Sequence, residues 1–390
     1  MASQPPRRLL APQPHRERTP LVLIVGALVT AVAAAPQAAV AQSCEGWSAS
    51  AGALLLDDVR TDESSGLVVS RTRPGVFYTH DDSGGDRRVE AFNLDGEQGV
   101  SEVPDATFID WEDLAPGPCP DDLDRPCLFI GDIGDNLALR PYISIFVVRE
   151  PARNAPAERV ATFLLRYPEG GQDAETLLVH PKTGQITLVT KAEDGVCGVY
   201  DAPMTELRDM FGVEITAEDV PVMERRGTLI IDGETNGDRM TTSGAYAADG
   251  TAIAIRTYGQ VLLWRVPPCA PGDWWTSAPE RLPAPAEDQG EAIAFGLDGS
   301  IWTTSEGDPM AVNQLACLGP IAADDTECAP AAGVDGTGEF GGDGAEDSAL
   351  DGDPKDDASG CACTAAGSRR SAALAALGLL SFALLQRRRK

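Results

Sequence analysis

The sequence predicts an all-β fold, a β-propeller built from five four-stranded blades. The chain has 390 residues, among them 40 glycines and 29 prolines, and this composition favours short strands and turns over a helical bundle. Hydrophobic residues make up 43% of the chain, which is enough to build a core. One pattern also recurs five times within residues 44–328, as expected for a radial array of similar sheets.

Each repeat contains an inner strand, a tight turn and a second strand rich in β-forming residues. The inner strands begin at Glu63, Glu112, Glu175, Thr242 and Glu291, and the second repeat carries an insertion in its turn. Third strands are predicted at residues 88–93, 143–149, 197–200 and 260–266. Fourth strands are predicted at residues 100–103, 160–167, 227–231 and 281–283. Four strands per repeat are what a propeller blade requires.

The fifth repeat has no evident outer strand after Cys317. We expect the segment from Leu54 to Leu56, which precedes the first repeat, to supply this strand and to close the ring. Such closure removes the exposed strand edges that an open array would carry. A six-bladed ring with one degenerate blade in residues 205–232 is the alternative.

The repeated glutamates predict an acidic site at one end of the central channel. Because neighbouring strands run antiparallel, the start of each inner strand and the end of each second strand lie on the same face of the propeller. The acidic residues near these positions are candidate metal ligands: Glu63, Asp81, Asp82, Asp110, Glu112, Asp132, Asp135, Glu175 and Glu291. So many carboxylates repel one another unless cations offset them, and Ca²⁺ accepts such oxygen-rich sites.

A structural role explains the repeated glutamates equally well. A glutamate at the same position of four blades is able to accept hydrogen bonds from backbone amides of the neighbouring blade. The acidic loop residues that follow the second strands of the first two repeats do not recur so strictly, which favours a local binding site.

Two loops resemble those of secreted bacterial propellers of the phytase-like and esterase-like kind. They are residues 80–86 (HDDSGGD) and 131–136 (GDIGDN), and residues 110–113 (DWED) accompany them. The resemblance implies that the acidic residues hold Ca²⁺ at the channel mouth and that Lys191 and Arg256, placed after second strands, contact a bound anion. Glu306, which also follows a second strand, is a further candidate ligand-binding residue. This mouth is nevertheless richer in acid and poorer in base than a phosphate-binding site.

Other chemistries find little support in the sequence. A net charge of −29 argues against nucleic acid as a partner, because a polyanion repels phosphates. The three histidines, at positions 15, 80 and 180, form no zinc-spaced cluster, and no nucleophile elbow, phosphate loop or dinucleotide fingerprint is present. His80, beside Asp81 and Ser83, is the one candidate for acid–base catalysis, although such turn neighbours are more typical of a structural histidine.

The nine cysteines indicate an oxidising compartment. Two pairs bracket short loops and are expected to form local disulfide bonds, Cys119 with Cys127 and Cys317 with Cys328. Three further cysteines cannot be paired from the sequence, namely Cys44, Cys197 and Cys269.

The N-terminal end of the chain predicts export. Four arginines, an apolar run from Leu21 to Ala35 and the small residues Ala39 and Ala41 make residues 1–41 a secretory signal peptide. A membrane span is the alternative, although a run of 15 residues is short for one. The propeller domain then occupies residues 42–328. Residues 329–360 carry nine acidic residues and one lysine, which predicts an extended, disordered linker.

Residues 361–390 resemble the MYXO-CTERM sorting tail of myxobacterial surface proteins. They contain the pair Cys361 and Cys363, a short apolar helix at residues 372–385 and a basic end from Arg387 to Lys390. The resemblance implies processing near the two cysteines by a membrane-embedded sorting protease and display on the outer envelope of a Gram-negative bacterium. A simple C-terminal anchor is the alternative, and it also leaves the propeller outside. The implied partners are the export machinery, the sorting protease and the membrane.

Two functions of different classes follow from these features. One is a surface-displayed propeller that binds a ligand or partner at its acidic, Ca²⁺-dependent channel mouth. The other is a calcium-dependent hydrolase that acts on a phosphoester or an ester at the same mouth. An excess of basic groups beside the acids would favour hydrolysis. Few such groups are present, so the sequence favours binding.

Overall fold

A computed structural model describes residues 46–49, 54–56, 61, 63–82, 86–287, 289–318 and 326–330. All of them belong to one compact unit, Met1–Gly342, while the second unit, Asp343–Lys390, lies outside the described residues. The predicted signal peptide, most of the acidic linker and the predicted sorting tail also lie outside them. Within the described ranges, no helix has the length and apolar character needed to cross a membrane.

The fold is the predicted five-bladed β-propeller. In chain order its first ten strands are β1 Gly46–Ala49, β2 Leu54–Leu56, β3 Ser64–Val69, β4 Val76–Asp81, β5 Arg88–Asn93, β6 Gln98–Glu102, β7 Trp111–Cys119, β8 Asp122–Asp132, β9 Ile143–Arg149 and β10 Arg159–Leu165. They continue as β11 Ala174–Val179, β12 Ile186–Thr190, β13 Val196–Asp201, β14 Glu224–Ile230, β15 Thr241–Tyr246, β16 Ala252–Thr257, β17 Val261–Arg265, β18 Glu280–Leu282, β19 Gly290–Phe295, β20 Ile301–Ser305 and β21 Met310–Leu318. Short 3₁₀ helices occur at Met204–Glu206, Ala217–Asp219 and Trp274–Thr276.

Each blade is an antiparallel sheet of consecutive strands: β3–β6 form blade 1, β7–β10 blade 2, β11–β14 blade 3 and β15–β18 blade 4. Apolar side chains fill the space between neighbouring blades, so the core consists of five layers arranged around the axis. This arrangement follows from the alternation of strand side chains, which gives each inner sheet two apolar faces.

Both ends of the described chain complete blade 5. Strand β21 pairs with β20 on one side, and on the other side it pairs with β1 and β2, from Gly46↔Leu318 to Leu56↔Met310. The prediction that Leu54–Leu56 closes the ring is confirmed, and β1 extends the closure. The six-bladed alternative is wrong, because residues 205–232 contribute β14 and two 3₁₀-helical stretches to blade 3 rather than a blade of their own.

The same irregularity interrupts the innermost hairpin of every blade. The register between the first and second strands shifts at residues 64–67, 111–113, 174–176, 241–243 and 290–292. Glu112, Glu175 and Glu291 are the extra residues of these bulges, and a bulge re-aims the side chain that it carries. In blade 1 the bulge places Ser65 and Gly66 opposite the single residue His80, so Glu63 is not the equivalent of the other glutamates.

Asp113, which follows the bulge of blade 2, joins three blades at the centre of the propeller. Its buried carboxylate accepts hydrogen bonds from the amides of Leu177 in blade 3 at 2.8 Å and Gly244 in blade 4 at 3.1 Å. It also accepts hydrogen bonds from Ser243 Oγ at 2.8 Å and from the amide of Leu114 at 2.9 Å. We expected the repeated glutamates to accept hydrogen bonds from amides of neighbouring blades, but Asp113 has this role instead. Glu175 and Glu291 accept hydrogen bonds from the side chains of Lys191 and Gln289, respectively.

One of the two predicted disulfide bonds is confirmed. Cys119 and Cys127 are bonded and close the long hairpin of blade 2. The prediction that Cys317 pairs with Cys328 is wrong, because Cys328 is bonded to Cys269 and Cys317 takes part in another disulfide bond. Residues 326–330 run beside blades 3 and 4, where Lys182 Nζ donates to the carbonyl of residue 326 at 2.7 Å, so their cysteine meets a residue distant in sequence. Cys197 is a buried free thiol.

Replacing Asp113 with alanine should lower the free energy of unfolding by about 3 kcal/mol, because three buried amides and the Ser243 hydroxyl then lose their acceptor. Equilibrium unfolding in urea measures this change. Asp95→Ala, in an exposed turn of blade 1, is the matched control and should change the same quantity by less than about 0.5 kcal/mol. Equal effects of the two substitutions would contradict the role of Asp113 in joining the blades.

The two assigned disulfide bonds should contribute differently to the free energy of unfolding. The Cys269–Cys328 bond closes a loop with a sequence separation of 59, and the Cys119–Cys127 bond closes one with a separation of 8. On the chain-entropy model their loss should cost about 4 and about 2.5 kcal/mol, respectively. Urea unfolding of the two double-serine variants tests this order, and a larger loss for the short loop would show that chain entropy does not dominate.

Candidate functional site

One backbone hydrogen bond recurs at the acidic end of the channel and, within each of four blades, ties the loop after the second strand to the residue before the inner strand. The residue after the second strand donates its amide to the carbonyl of the residue just before the inner strand. The pairs are Asp82 with Glu63 at 3.0 Å, Lys191 with Asp173 at 2.9 Å and Glu306 with Gln289 at 3.1 Å, and in blade 2 Gly134 donates to Asp110 at 3.2 Å. The side chains of both loop sets are thereby brought to the same face, as the sequence predicts.

Three carboxylates from two neighbouring blades form the tightest cluster of this mouth. One oxygen each of Asp82, Asp110 and Glu112 lie within 4.8 Å of one another. Asp82 follows β4, Asp110 precedes β7, and Glu112 occupies the bulge of β7. A Cβ atom at Gly134 would lie 2.1 Å from Glu112 Oε1 and 2.5 Å from Asp110 Oδ2, so this glycine is what lets the next loop cover the two acids.

Burial, together with the proximity of like charges, raises the pKa values of all three acids. Burial, followed by repulsion from Asp110 and Glu175, raises the pKa of Asp82 to about 8. Burial and Asp173 raise the pKa of Asp110 to about 6, against the opposing effect of Arg140. Burial, again with repulsion from Glu175, raises the pKa of Glu112 well above its usual range. A cation bound among these oxygens would offset both the repulsion between the carboxylates and the cost of burying their charges.

Lys191 supplies a positive charge to the other half of the mouth. Its ammonium group forms an ion pair with Glu175 and donates to Tyr258 Oη at 2.9 Å. Burial alone would lower the pKa of Lys191, but Glu175 outweighs burial and raises it. Glu291 accepts a hydrogen bond from Gln289 Nε2 at 2.9 Å, and burial together with Glu175 raises its pKa. The mouth thus has one half with its own cation and one half, the Asp82–Asp110–Glu112 cluster, with three acids and no ion pair to a base among the described residues.

Several predicted ligands have structural partners instead. Asp81 forms an ion pair with Arg88 at 3.1 Å, and Asp132 forms one with Arg140 at 2.8 Å. Asp135 accepts hydrogen bonds from the amides of the next loop, at positions 139 and 140, and thereby holds that loop in shape. Glu63 is exposed at the rim of the mouth, and its negative charge contributes to the raised pKa values of Asp82 and Glu306.

The second predicted anion contact, Arg256, lies within β16 rather than after it. It is fully buried and paired with Glu287, whose other oxygen accepts hydrogen bonds from Thr303 Oγ1 and Asn313 Nδ2, each at 2.7 Å. Arg256 thereby holds the segment that leads into the inner strand of blade 5. Glu306 lies at the mouth, where burial and its neighbour Glu63 raise its pKa.

His80 lies in the core. Its Nδ1 atom is 2.7 Å from the carbonyl oxygen of Asp81, and its ring packs edge-on against Trp111 with the centroids 5.6 Å apart. Burial lowers the pKa of His80 to about 4, so the ring is neutral at pH 7. This environment is that of a packing histidine.

Sequence reasoning missed two mouth residues, Asp173 and Tyr258, and the sequence contains a signal for the first of them. Asp173 precedes Glu175 by two positions, as Asp110 precedes Glu112, and an Asp-x-Glu motif therefore marks both bulges. Asp173 accepts a hydrogen bond from the amide of Asp135 at 2.9 Å. Tyr258 has no comparable signal, because it reaches Lys191 from the neighbouring blade through the fold alone.

No family model and no curated protein sequence matches the chain. Among solved structures, a calcium-binding protein, regucalcin, from Agrobacterium tumefaciens is similar with 14% identity and a TM-score of 0.36, over 72% of this chain and 97% of that one. The PQQ-bound aldose sugar dehydrogenase of Streptomyces coelicolor gives 10% identity and a TM-score of 0.39, over 69% and 98%. A glucose dehydrogenase is similar with 11% identity and a TM-score of 0.38, over 70% of this chain and 99% of that one. Likeness of this degree carries no inference about function.

The raised pKa values predict that stability falls as pH rises from about 7 to about 8 in buffer with a chelator. Burial raises the pKa of Asp113, like that of Asp82, to about 8, against the hydrogen bonds that it accepts. In this window the folded state therefore binds more protons than the unfolded state, so each such group should cost up to about 1.4 kcal/mol per pH unit. His80 and His180, whose pKa values burial lowers to about 4, are already neutral there.

Urea unfolding at several pH values checks this slope. Asp82→Asn should flatten it by removing one of the titrating groups, whereas Asp95→Asn should leave it unchanged. A stability that stays constant or rises with pH in this window would contradict the prediction.

Proposed function

We propose that this protein is a surface-displayed binding propeller whose channel mouth holds a calcium ion through Asp82, Asp110 and Glu112. The ion would then present open coordination positions to a ligand or partner outside the cell. The observation that carries the proposal is the convergence of three carboxylate oxygens within 4.8 Å of one another.

The donor set fits Ca²⁺. Calcium is bound by six to eight oxygens at 2.3–2.6 Å, so two oxygens on opposite sides of the ion are about 5 Å apart, which the cluster can provide. Magnesium more often keeps several waters and takes one or two carboxylates, so a cluster of three favours calcium. Asp82, Asp110 and Glu112 would hold the ion at the channel entrance, where it would supply a concentrated positive charge to an oxygen-bearing ligand.

Binding explains the site better than hydrolysis of a phosphoester or ester. The two basic residues expected to contact an anion, Lys191 and Arg256, are both held in ion pairs with glutamates. His80, the candidate for acid–base work, is buried and has a lowered pKa. The groups that a hydrolase would need beside the cation are therefore occupied by structural contacts.

Export supports the external role in this proposal. The signal peptide predicted at residues 1–41 directs the chain to the export machinery, and the tail at residues 361–390 directs it to the sorting protease and the membrane of a Gram-negative envelope. The disulfide bonds Cys119–Cys127 and Cys269–Cys328 fit an oxidising compartment.

Calorimetric titration of the chelator-treated protein with Ca²⁺ should give saturable binding at the mouth. Asp82→Asn and Glu112→Gln should each weaken this binding by at least about tenfold, because each removes a charged ligand. Glu306→Gln removes the same charge from the mouth without removing a cluster member, and should weaken binding by no more than about threefold. Absence of Ca²⁺ binding at millimolar concentration, together with unchanged stability in chelator, would refute the proposal.

Assays with p-nitrophenyl phosphate and p-nitrophenyl acetate, with and without Ca²⁺, separate the two functions. The binding function predicts no turnover above the buffer rate. Ca²⁺-dependent turnover that disappears in Glu112→Gln while the protein stays folded would favour the hydrolase instead.

A further inference from the structure

The central channel has a second opening at the end opposite the acidic mouth. A cavity of about 290 Å³ at this end is lined by the first turn of every blade. It is distinct from a cavity of about 420 Å³ that lies between blades 3 and 4. The lining of the smaller cavity includes Arg71 of blade 1, Pro181 of blade 3, Ala248 of blade 4 and Leu297 of blade 5, together with the long hairpin of blade 2. Five such turns meet only on the axis, so this cavity, here called the turn-side cavity, is the other end of the channel.

Arg71 brings an unsatisfied guanidinium group to the turn-side cavity. Its Nη1 atom is buried and has no hydrogen-bond partner among the described residues. The two carboxylates whose charges act on Arg71, Glu150 and Asp249, are engaged by donors other than its guanidinium group, and Glu150 Oε1 accepts from the backbone amide of Arg71 at 2.7 Å. Glu150 accepts hydrogen bonds from Ser70 Oγ at 2.7 Å and Thr72 Oγ1 at 2.5 Å, and Asp249 accepts from Thr251 Oγ1 at 2.7 Å.

Leaving this donor unpaired has a cost that a ligand would remove. Burial lowers the pKa of Arg71 to about 10, against the attraction of Glu150 and Asp249. A buried donor without an acceptor typically costs about 1–3 kcal/mol, and more when it is charged. An acceptor that enters the cavity would recover that cost.

The long blade 2 hairpin, residues 111–132, extends over the turn-side cavity and is here called the hood. Its strands β7 and β8 have 9 and 11 residues, against 5 or 6 for the inner two strands of the other blades, and the Cys119–Cys127 bond closes its tip. The hood brings Arg125 and Asp124 to the rim and prolines to the wall. With Arg71, the charged groups of the lining are two bases and one acid, and the remaining wall is largely apolar.

We propose that the turn-side cavity binds a small organic carboxylate, whose charged end contacts Arg71 and Arg125 and whose apolar part lies against the prolines and Leu297. A guanidinium fork matches the two oxygens of a carboxylate, which favours this anion over a spherical one. The cavity is close to the smallest volumes that hold small-molecule ligands. The site is separate from the acidic mouth and does not depend on the function proposed for it.

Titration of the full protein with benzoate in chloride buffer containing chelator tests the proposal. Saturable binding is expected, and Arg71→Met should weaken it by roughly tenfold to a hundredfold, as expected for loss of a charged hydrogen bond. Arg125→Ala, at an exposed position, should weaken it about threefold and keeps the test valid if the first variant folds poorly.

Arg73→Met is the matched control. It removes the same charge from the same loop, but Arg73 already donates to the carbonyl of Pro151 and lies over the ring of Tyr78, so benzoate affinity should not change. Absence of saturable benzoate binding, unchanged affinity in both cavity variants, or binding of inorganic phosphate in preference to benzoate would overturn the proposal.

Discussion

The architecture depends on a single buried carboxylate at the point where the inner strands meet. Asp113 takes hydrogen bonds from blades 3 and 4 while it belongs to blade 2, and Ser243, one of its donors, also accepts the amide of Ile293 in blade 5. Serine and threonine hydroxyls complete the ring, as between Ser64 of blade 1 and Thr304 of blade 5 at 3.0 Å. The inner strands are thus held together by polar contacts on the axis, while apolar layers hold the blades together farther out.

This central arrangement explains why the carboxylates of the mouth stay close together although they repel one another. The bulges that direct Glu112, Glu175 and Glu291 towards the channel lie next to the residues that join the blades, so the acids cannot move apart without disturbing the ring. Lys191 offsets part of the repulsion within blade 3. Among the described residues, the acids between blades 1 and 2 have no ion pair of this kind, and the proposed calcium site rests on this asymmetry.

The sequence was a good guide to strands and a poorer guide to side-chain partners. The third strands at residues 88–93 and 143–149 match β5 and β9, because alternation and turn residues are local signals. Glu63 lies two positions before the true equivalent of the other glutamates, because the blade 1 bulge contains serine and glycine where blades 2, 3 and 5 place glutamate. The partner of Cys328 and the role of Asp113 depend on contacts between distant segments, which no local pattern records.

Blade 5 is assembled from the two ends of the described chain, and this has a consequence for how the molecule is made. The strands β1 and β2 are synthesised first, but their partner β21 appears only after all the other blades. Until then the ring stays open, with unpaired strand edges in blade 5 that would attract other chains. Pairing over such a long sequence separation is also slow. The nascent chain should therefore remain in an unsealed state until Leu318 has been synthesised, and the last strand to appear is the one that locks the ring.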